Sequence, residues 1–350
     1  MIRSIDFRYT IQRNGADYCE LHPMSRGSAS VKMNESSSIK TSLSGDFLIP
    51  GKDVNWLTDE IQAKLIINGS PSSCGVFLPS VVSEHEDGEN KYLHIDALDR
   101  GWIVQDSRTE RRVFIPAGTN YVEAIVSVLG RAGIAQIVST PTSFVTSEDR
   151  DDWNVGTPIL EIVNELLSEI SYKPLWFNGD GAAMLEPVSS PTAQNIDHML
   201  DDTKIESLLT PKISKQTDLY KKPNVFICIC SNADKDSGMV AIAENTNPQS
   251  PLSISRRGRR ITQTVQVQNI PSQAALQLYA DRMVTDSLTS GETITVTTAL
   301  LPGFGVGDVT AIKYGDLMAI CIERSWSMDL RVGGLMSHNL ELVVLNLDQN

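Results

Sequence analysis

The feature that most constrains this chain is a change in the spacing of its apolar residues. Residues 111–186 carry two segments with helical spacing, and they lie between two long stretches that read as β-sheet. A strand buries every second residue and a helix one face at about 3.6 residues per turn, so the switch marks an α+β insert in a β-rich chain.

The first stretch opens with clean alternation. Ile5, Phe7, Tyr9 and Ile11 face one way and Asp6, Arg8 and Thr10 the other, which predicts a half-buried strand. Asn14-Gly15 follows as a hairpin turn. Residues 30–48 continue as Ser-rich strand, Ala63–Ile67 meets a second turn at Asn68-Gly69, and Val76–Leu78 and Val81-Val82 lead to Asp87-Gly88 and Tyr92–Ile95. Short strands punctuated every ten or so residues predict an antiparallel sheet or barrel.

The insert reads as a strand at 111–115, two capped helices and a hairpin. Asn120 is placed to cap a helix starting at Tyr121, with Glu123 completing a capping box and Gly133 ending it. Residues 141–155, which include Ser147–Asp152, form an acidic surface loop. Thr157 then caps a helix with Pro158 at its first position, and Ile159, Ile162, Val163, Leu166 and Ile170 make its apolar stripe. Trp176-Phe177 and Met184-Leu185 flank a turn at Asn178–Gly181.

From 187 to 222 the chain is a polar connector with one or two strands. Asn224–Cys230 reads as a buried strand, 231–260 as a polar excursion, and 262–267 as strand. Ser272 caps a helix reaching about Leu288, and strands follow at 293–300, Val309–Ile312, Leu317–Glu323 and Leu340–Leu347.

Composition excludes several classes. The net charge is −13, with 43 acidic residues against 30 Lys and Arg, so a broad basic face for nucleic acid is absent and the surface repels DNA. No apolar run approaches the length of a membrane span, and Met1–Asp6 has no signal-peptide core, which predicts folding in a cytoplasm without membrane insertion.

The chemical motifs are thin. The five cysteines (Cys19, Cys74, Cys228, Cys230, Cys321) are an odd number and no disulfide framework. Cys228 and Cys230 share a strand face, but a metal site needs two more ligands and none is near in sequence, so they read as small buried hydrophobes. Gly303–Gly307 resembles a phosphate loop, yet strand rather than helix follows, which predicts a wide turn. Arg256–Arg260 is the one dense basic cluster: a solvated loop tip, or a contact to an acidic neighbour more readily than to DNA. His22, His85, His94, His198 and His338 stand in no metal or catalytic spacing, and there is no G-x-S-x-G elbow. A carboxylate pair for glycoside hydrolysis has no sequence motif, and at 6% aromatics the chain shows no aromatic-rich cleft beside one.

Four segments, in this order, carry a resemblance. They are Asp46–Asn68 (with L-I-P-G-K-D-V-N-W-L) followed by Cys74–Leu78; H-I-D-A-L-D-R-G-W-I-V-Q-D at 94–106; the insert from V-F-I-P-A-G-T-N-Y to W-F-N-G-D-G; and K-K-P-N-V-F-I, I-P-S-Q-A-A-L-Q-L-Y-A-D-R-M and L-P-G-F-G-V-G-D-V. In these the chain resembles the bacteriophage tail hub or baseplate hub proteins, the type also found at the N-terminus of tail-tip proteins. The resemblance implies a β-rich α+β fold: a first tube-type antiparallel β-barrel domain (1–110), an α+β module (111–190), and a second tube-type β-barrel domain (191–350) with the polar excursion (231–260) and one helix (272–288). It implies a homotrimer joining a sixfold tail tube or distal tail protein to a threefold central spike or tail fibre. Three copies would enclose a channel through which DNA passes without specific binding, in a virion assembled in the bacterial cytoplasm. Because the chain ends at Asn350, soon after its last strand, no lytic or receptor-binding domain is expected. The resemblance carries over no catalytic, cofactor-binding or metal-ligating residues, so none is assigned, and the chain is not expected to be an enzyme. The alternatives from other classes are a tail-associated cell-wall hydrolase and a monomeric carbohydrate-binding tail adaptor.

Overall fold

The computed structural model describes residues 3–24, 29–88, 90–189, 191–203, 209–210, 213–217, 222–230, 238–248, 250, 252–267, 270–288 and 292–345. The first flank holds β1 (Ile5–Arg13), β2 (Ala16–Leu21), β3 (Ala29–Asn34), β4 (Thr41–Leu48), β5 (Glu60–Ile67), β6 (Ser70–Asp87) and β7 (Asn90–Asp99). The predicted turns are present. Asn14 and Gly15, then Asn68 and Gly69, take positive φ (52°, 76°, 50° and 84°), the pairing that two-residue hairpins require. β6 passes Pro79, which has no N–H to donate; a bulge there pairs Pro79 with Ala97 and Val81 with Asp96, and the Ser80 hydroxyl donates to the Asp96 carbonyl at 2.9 Å.

The middle of the chain contains α1 (Gly101–Asp106), α2 (Tyr121–Arg131), β8 (Ile137–Ser139), α3 (Ile159–Glu169), β9 (Trp176–Phe177) and β10 (Ala183–Leu185). Asn120 caps α2, its side-chain oxygen accepting from Val122 and Glu123 amides at 3.0 and 3.4 Å. Both helices lay their apolar stripes on the small sheet β8-β10-β9 around Ile125, Leu129, Ile162, Leu166 and Phe177. Three details differ from the sequence reading. The Asp99 carboxylate accepts from the Thr41 and Gly101 amides, so β7 stops there and α1, a helix the sequence reading does not give, starts. Residues 111–115 form no strand: only Ile115 bridges, to Arg150, before Pro116 and the turn at Gly118 lead the chain away. At α3 it is Pro158, not Thr157, that stands at the cap, and the Thr157 hydroxyl donates to the Asn154 carbonyl instead.

The last third contributes β11 (His198–Asp201), β12 (Ile213–Thr217), β13 (Val225–Cys230), β14 (Met239–Glu244), α4 (Ile254–Arg257), β15 (Thr262–Val267), α5 (Gln273–Leu288), β16 (Glu292–Ala299), β17 (Val309–Tyr314), β18 (Leu317–Asp329) and β19 (Leu335–Leu345). The stretch expected as a polar excursion carries β14 and α4; its residues 231–237, 249 and 251 lie outside the described ones. β14 pairs with β13, β15 runs parallel to β13, and α5 packs Ala275, Leu276 and Ala280 against Cys228, Cys230 and Ala241. Gln273 and Gln277 of α5 reach over to the Val240 and Ile242 carbonyls of β14, which protects that strand's outer edge.

The two flanks are joined. Among the described residues, thirteen strands share one largely antiparallel sheet ordered β12-β16-β19-β18-β3-β4-β7-β6-β5-β1-β2, with β17 pairing with both β18 and β11. The long strand β18 makes the join. Its first half pairs with β17 (Leu317 opposite Tyr314 to Ile322 opposite Val309), its second half pairs with β3 (Ser325 opposite Asn34 to Asp329 opposite Ser30), and β19 follows its other edge. One apolar core underlies both flanks, from Tyr9, Phe47 and Leu65 to Trp326, Met328, Val296 and Leu340. The expected β-rich antiparallel architecture is present; no closed barrel is found among the described strands. Just past β2 the chain returns to β4 through one bridge, Pro23 to Phe47, with Met24 donating to Asp46 at 2.9 Å and Leu48 to His22 at 2.8 Å.

The turn after β9 sits in the seam. A Cβ at Gly179 would lie 2.3 Å from the Ser73 carbonyl oxygen of β6, and one at Gly305 would lie 2.8 Å from the Trp176 ring. Because the Ser73 atom is backbone, it cannot swing aside. Gly179→Ala is therefore expected to cost about 1–3 kcal/mol of unfolding free energy, as overpacking does. Urea unfolding measures this, and an unchanged midpoint would contradict the close approach.

Candidate functional site: a polar sheet face and the clamps behind it

The alternation of the large sheet sends its buried side chains to the core and lays a polar face on the other side. Across β12, β16, β19, β18 and β3 the directly opposed residues are Ser214, Thr295, Asn339, Ser325 and Asn34. Two residues along, Thr297, Ser337, Ser327 and Lys32 face Ser42 of β4. All are exposed or half-buried. The rows between them, such as Val296-His338-Trp326-Met33, are buried. The face consists mainly of hydroxyls and amides, with Lys32 of β3 and Glu341 of β19 among them, and runs across the join between flanks. At its β12 end it dips into a groove of about 480 Å³ lined by Ser214, Gln216, Lys222, Thr293, Thr295, Asn339 and Glu341.

Ion pairs hold the units together around this face. Arg100 forks onto Glu60 of β5 at 2.8 and 2.7 Å and also donates to the Gly181 carbonyl at 2.9 Å, tying the first flank to the β9–β10 turn. Arg324 of β18 bridges Glu35, just past β3, at 2.6 Å and Glu341 of β19 at 2.7 Å. Lys173 pairs with Glu186 at 2.8 Å and lies 3.6 Å from Asp308. Burial pushes the Asp308 carboxyl up, but His198, the Gly305 amide and Lys173 together hold it below the ordinary carboxylate range. Inside the α+β module, one nitrogen of the buried Arg150 donates to both Glu169 carboxylate oxygens at 3.0 and 2.8 Å, the others reach Asp152 and Glu165, and the guanidinium stacks on Trp153; the Tyr121 hydroxyl donates to Glu169 at 2.7 Å. Burial lifts the Glu169 carboxyl to about 7 against the pull of Arg150.

One buried cluster has the residue types of a nucleophile–base–acid set. The His338 ring lies 3.1 Å from the Thr298 hydroxyl and 2.8 Å from Glu323. All three residues are 0% exposed. Burial drives His338 down to about 3, and Glu323 goes well above its ordinary value, by burial first and then by the nearby Asp308 charge. Both shifts favour the neutral forms. The Glu323 hydroxyl donates to His338, the ring's other nitrogen donates to Thr298, and the Thr298 hydroxyl donates to the Ala299 carbonyl at 2.7 Å. A hydroxyl whose proton is committed to a carbonyl, and which no substrate can reach, is not an activated nucleophile. Sequence reasoning gave His338 no role and did not single out Glu323 or Thr298.

Cys228 and Cys230 are buried free thiols facing α5. Gly303–Gly307 precedes β17 as a turn, and Gly303, Phe304, Gly305 and Val306 help line an apolar cavity of about 130 Å³ with Trp176, Trp326, Met328 and Cys74, in which no carboxylate appears. Arg256, Arg257 and Arg260 are engaged by the Pro248 carbonyl, the Lys222 carbonyl and Glu244, which leaves Arg259. His94 pairs with Asp46 at 2.7 Å, His198 with Asp308 at 2.9 Å, and His85 stacks on Tyr92. His22 lies 3.9 Å from Glu20. Among the described residues no group of three or more His, Cys, Asp or Glu is placed to hold a metal ion, and no helix is long and apolar enough to cross a membrane.

The neutral Glu323–His338 pair makes stability depend on pH in both directions. Below about 6.5 the unfolded chain takes up a proton on this histidine that the folded chain refuses, so acidification toward about 3 removes stability. Above 4.5 the unfolded chain ionises the glutamate while the folded chain keeps it protonated, so alkalinisation removes stability. Each contribution has a slope of at most about 1.4 kcal/mol per pH unit. Glu323→Gln, which keeps a donor for His338, is expected to flatten the alkaline side of the Tm–pH profile; an unchanged alkaline slope would contradict a protonated Glu323.

No protein-family profile and no curated sequence matches the chain. Solved structures do. A tail protein from Neisseria meningitidis MC58 superposes with a TM-score of 0.65 at 13% identity, over 96% of each chain. The 43 kDa tail protein of prophage MuSo2 from Shewanella oneidensis gives 0.64 at 10%, over 96% of this chain and 98% of that one. The E. coli c3393 protein, described as a type VI secretion component structurally similar to the T4 bacteriophage tail proteins gp27 and gp5, gives 0.51 at 6%, over 92% and 74%. The resemblance read from the sequence thus holds at the level of structure: this chain has the fold of bacteriophage tail proteins.

Proposed function

We propose that the chain is a structural protein of a phage tail or baseplate, a homotrimeric hub whose copies enclose a channel for DNA. The observation that carries this reading is the polar face. It continues in register from one flank to the other across β18 and β3, in a chain whose fold over 96% of its length is that of tail proteins. A wet bore favours hydroxyls and amides over apolar or strongly basic groups, and the excess of 13 negative charges keeps a passing polyanion from adhering.

In this reading residues 1–110 and 191–350 are the two tube-type units and 111–190 the peripheral module. The Pro23–Phe47 bridge supports barrel-like curvature in the first unit, since it brings β2 round to β4. Two pseudo-equivalent units per copy let a trimer match a sixfold tube on one side and a threefold spike or fibre on the other. The fold shared with a protein described as similar to gp27 and gp5 supports that position. The virion is then its place of action. The hydrolase alternative finds no support in the Thr298–His338–Glu323 set, which is sealed and wrongly protonated for catalysis.

Light-scattering mass across a concentration series tests the trimer. A particle three times the 38.4 kDa chain is expected, growing with concentration. A monomer at every concentration, or clearing of cell wall in a zymogram, would contradict the reading.

A further inference from the structure

The seam where the two flanks meet the α+β module holds the apolar cavity of about 130 Å³, and each of the three supplies part of its wall. Met33 comes from the first flank, Trp176 from the module, and Trp326, Met328 and Met336 from the second flank. In the joined sheet Met33 stands opposite Trp326, and Met336 opposite Met328. These four are at most 7% exposed and form the floor. Leu301 and Asn178, also in the wall, are half-buried and mark the side toward solvent.

Size and wall chemistry set what such a cavity holds. An apolar protein cavity of roughly 150 Å³ takes up one benzene molecule, so this one is of single-ring size. Three thioethers and two indoles line it, and both groups gain from contact with an aromatic ring beyond the area they bury. No charged side chain lines it, so a charged ligand would give up its hydration without a counter-ion. Trp176 and Trp326 each keep a buried indole N–H with no acceptor. An indole nitrogen can only donate, and a buried donor without a partner is costly. Two such donors in the wall of one cavity favour a ligand that brings an oxygen.

We propose that this cavity is a binding site for a small, uncharged molecule with one aromatic ring and one oxygen acceptor, the class of phenol. A ligand seated there touches both flanks and the module together. Its walls meet only in the folded chain, so binding raises stability by mass action. The site belongs to a single copy, so it stands whether or not the chain forms a trimer.

The test is methyl NMR of the full chain labelled with 13C-methyl methionine and titrated with phenol, toluene or cyclohexanol. Phenol is expected to shift the Met33, Met328 and Met336 methyls saturably through its ring current and to leave the exposed Met24 and Met199 unmoved. One added hydrogen bond is expected to make phenol bind about threefold or more tighter than toluene. Cyclohexanol, which has the oxygen without the aromatic ring, is expected to bind more weakly than phenol. Leu301→Trp is expected to close the entrance and abolish the phenol shifts, its dispersed methyl spectrum showing that it is folded. No shift of the three methyls up to the solubility of phenol, shifts confined to Met24 and Met199, toluene or cyclohexanol binding as tightly as phenol, or unchanged phenol binding by folded Leu301→Trp would each overturn the assignment.

Discussion

The pairing of β18 with β3 is the interaction on which the rest of the molecule depends. One strand divides its hydrogen bonds between two flanks that are nearly three hundred residues apart in sequence, Ser325 with Asn34 and Ile322 with Val309. That division makes one sheet of two, places one apolar core beneath it, and lets the polar rows on the outer side run on unbroken. Without it the flanks would carry separate faces, each bounded by open strand edges. Trp326 and Met328 anchor the join from below, and full burial of a side chain of that size is worth about 1.5–3 kcal/mol. Arg324 pins it from the side by holding Glu35 and Glu341 together.

The α+β module acts as a wedge against that join. Its β9–β10 turn touches the first flank through Gly179 and Arg100, and β9 touches the second through Trp176 against Gly305. Close approach is possible only because glycines stand at 179 and 305. The module's own interior is organised by a charge, Arg150, surrounded by Glu169, Glu165 and Asp152. Such a set is costly to bury, but once formed it is far more costly to break in part than to keep whole. The sealed Glu323–His338–Thr298 chain follows the same logic with neutral groups.

Much of this was legible in the sequence where the signal is local. Period-two alternation marked β1, Asn-Gly pairs marked two hairpins, Asn120 marked the start of α2, and the apolar stripe from Ile159 marked α3. The reading of β18 stopped at Glu323 because a glutamate followed by an arginine looks like a strand end. The structure carries the strand to Asp329, with Glu323 neutralised beside His338 and the alternation of Ser325, Trp326, Ser327 and Met328 continuing the pleat. That alternation was the available signal. β14 escaped because its exposed Val240 and Ile242 sit in a stretch dominated by polar turns. The clamps had no signal: Arg100 and Glu60 are 40 residues apart, and only the folded sheet brings them together. Order along the chain revealed the architecture, while long-range pairing, which unites the flanks, lies beyond any local pattern.

The functional account then rests on where the hydroxyl and amide rows point when copies associate. Electron cryomicroscopy of the assembled oligomer tests this most directly. The account predicts three copies around an aqueous bore, with Ser325, Ser327, Thr295 and Asn339 facing it. A ring that turns these residues outward, or an assembly in which another protein covers them without any central opening, would contradict it.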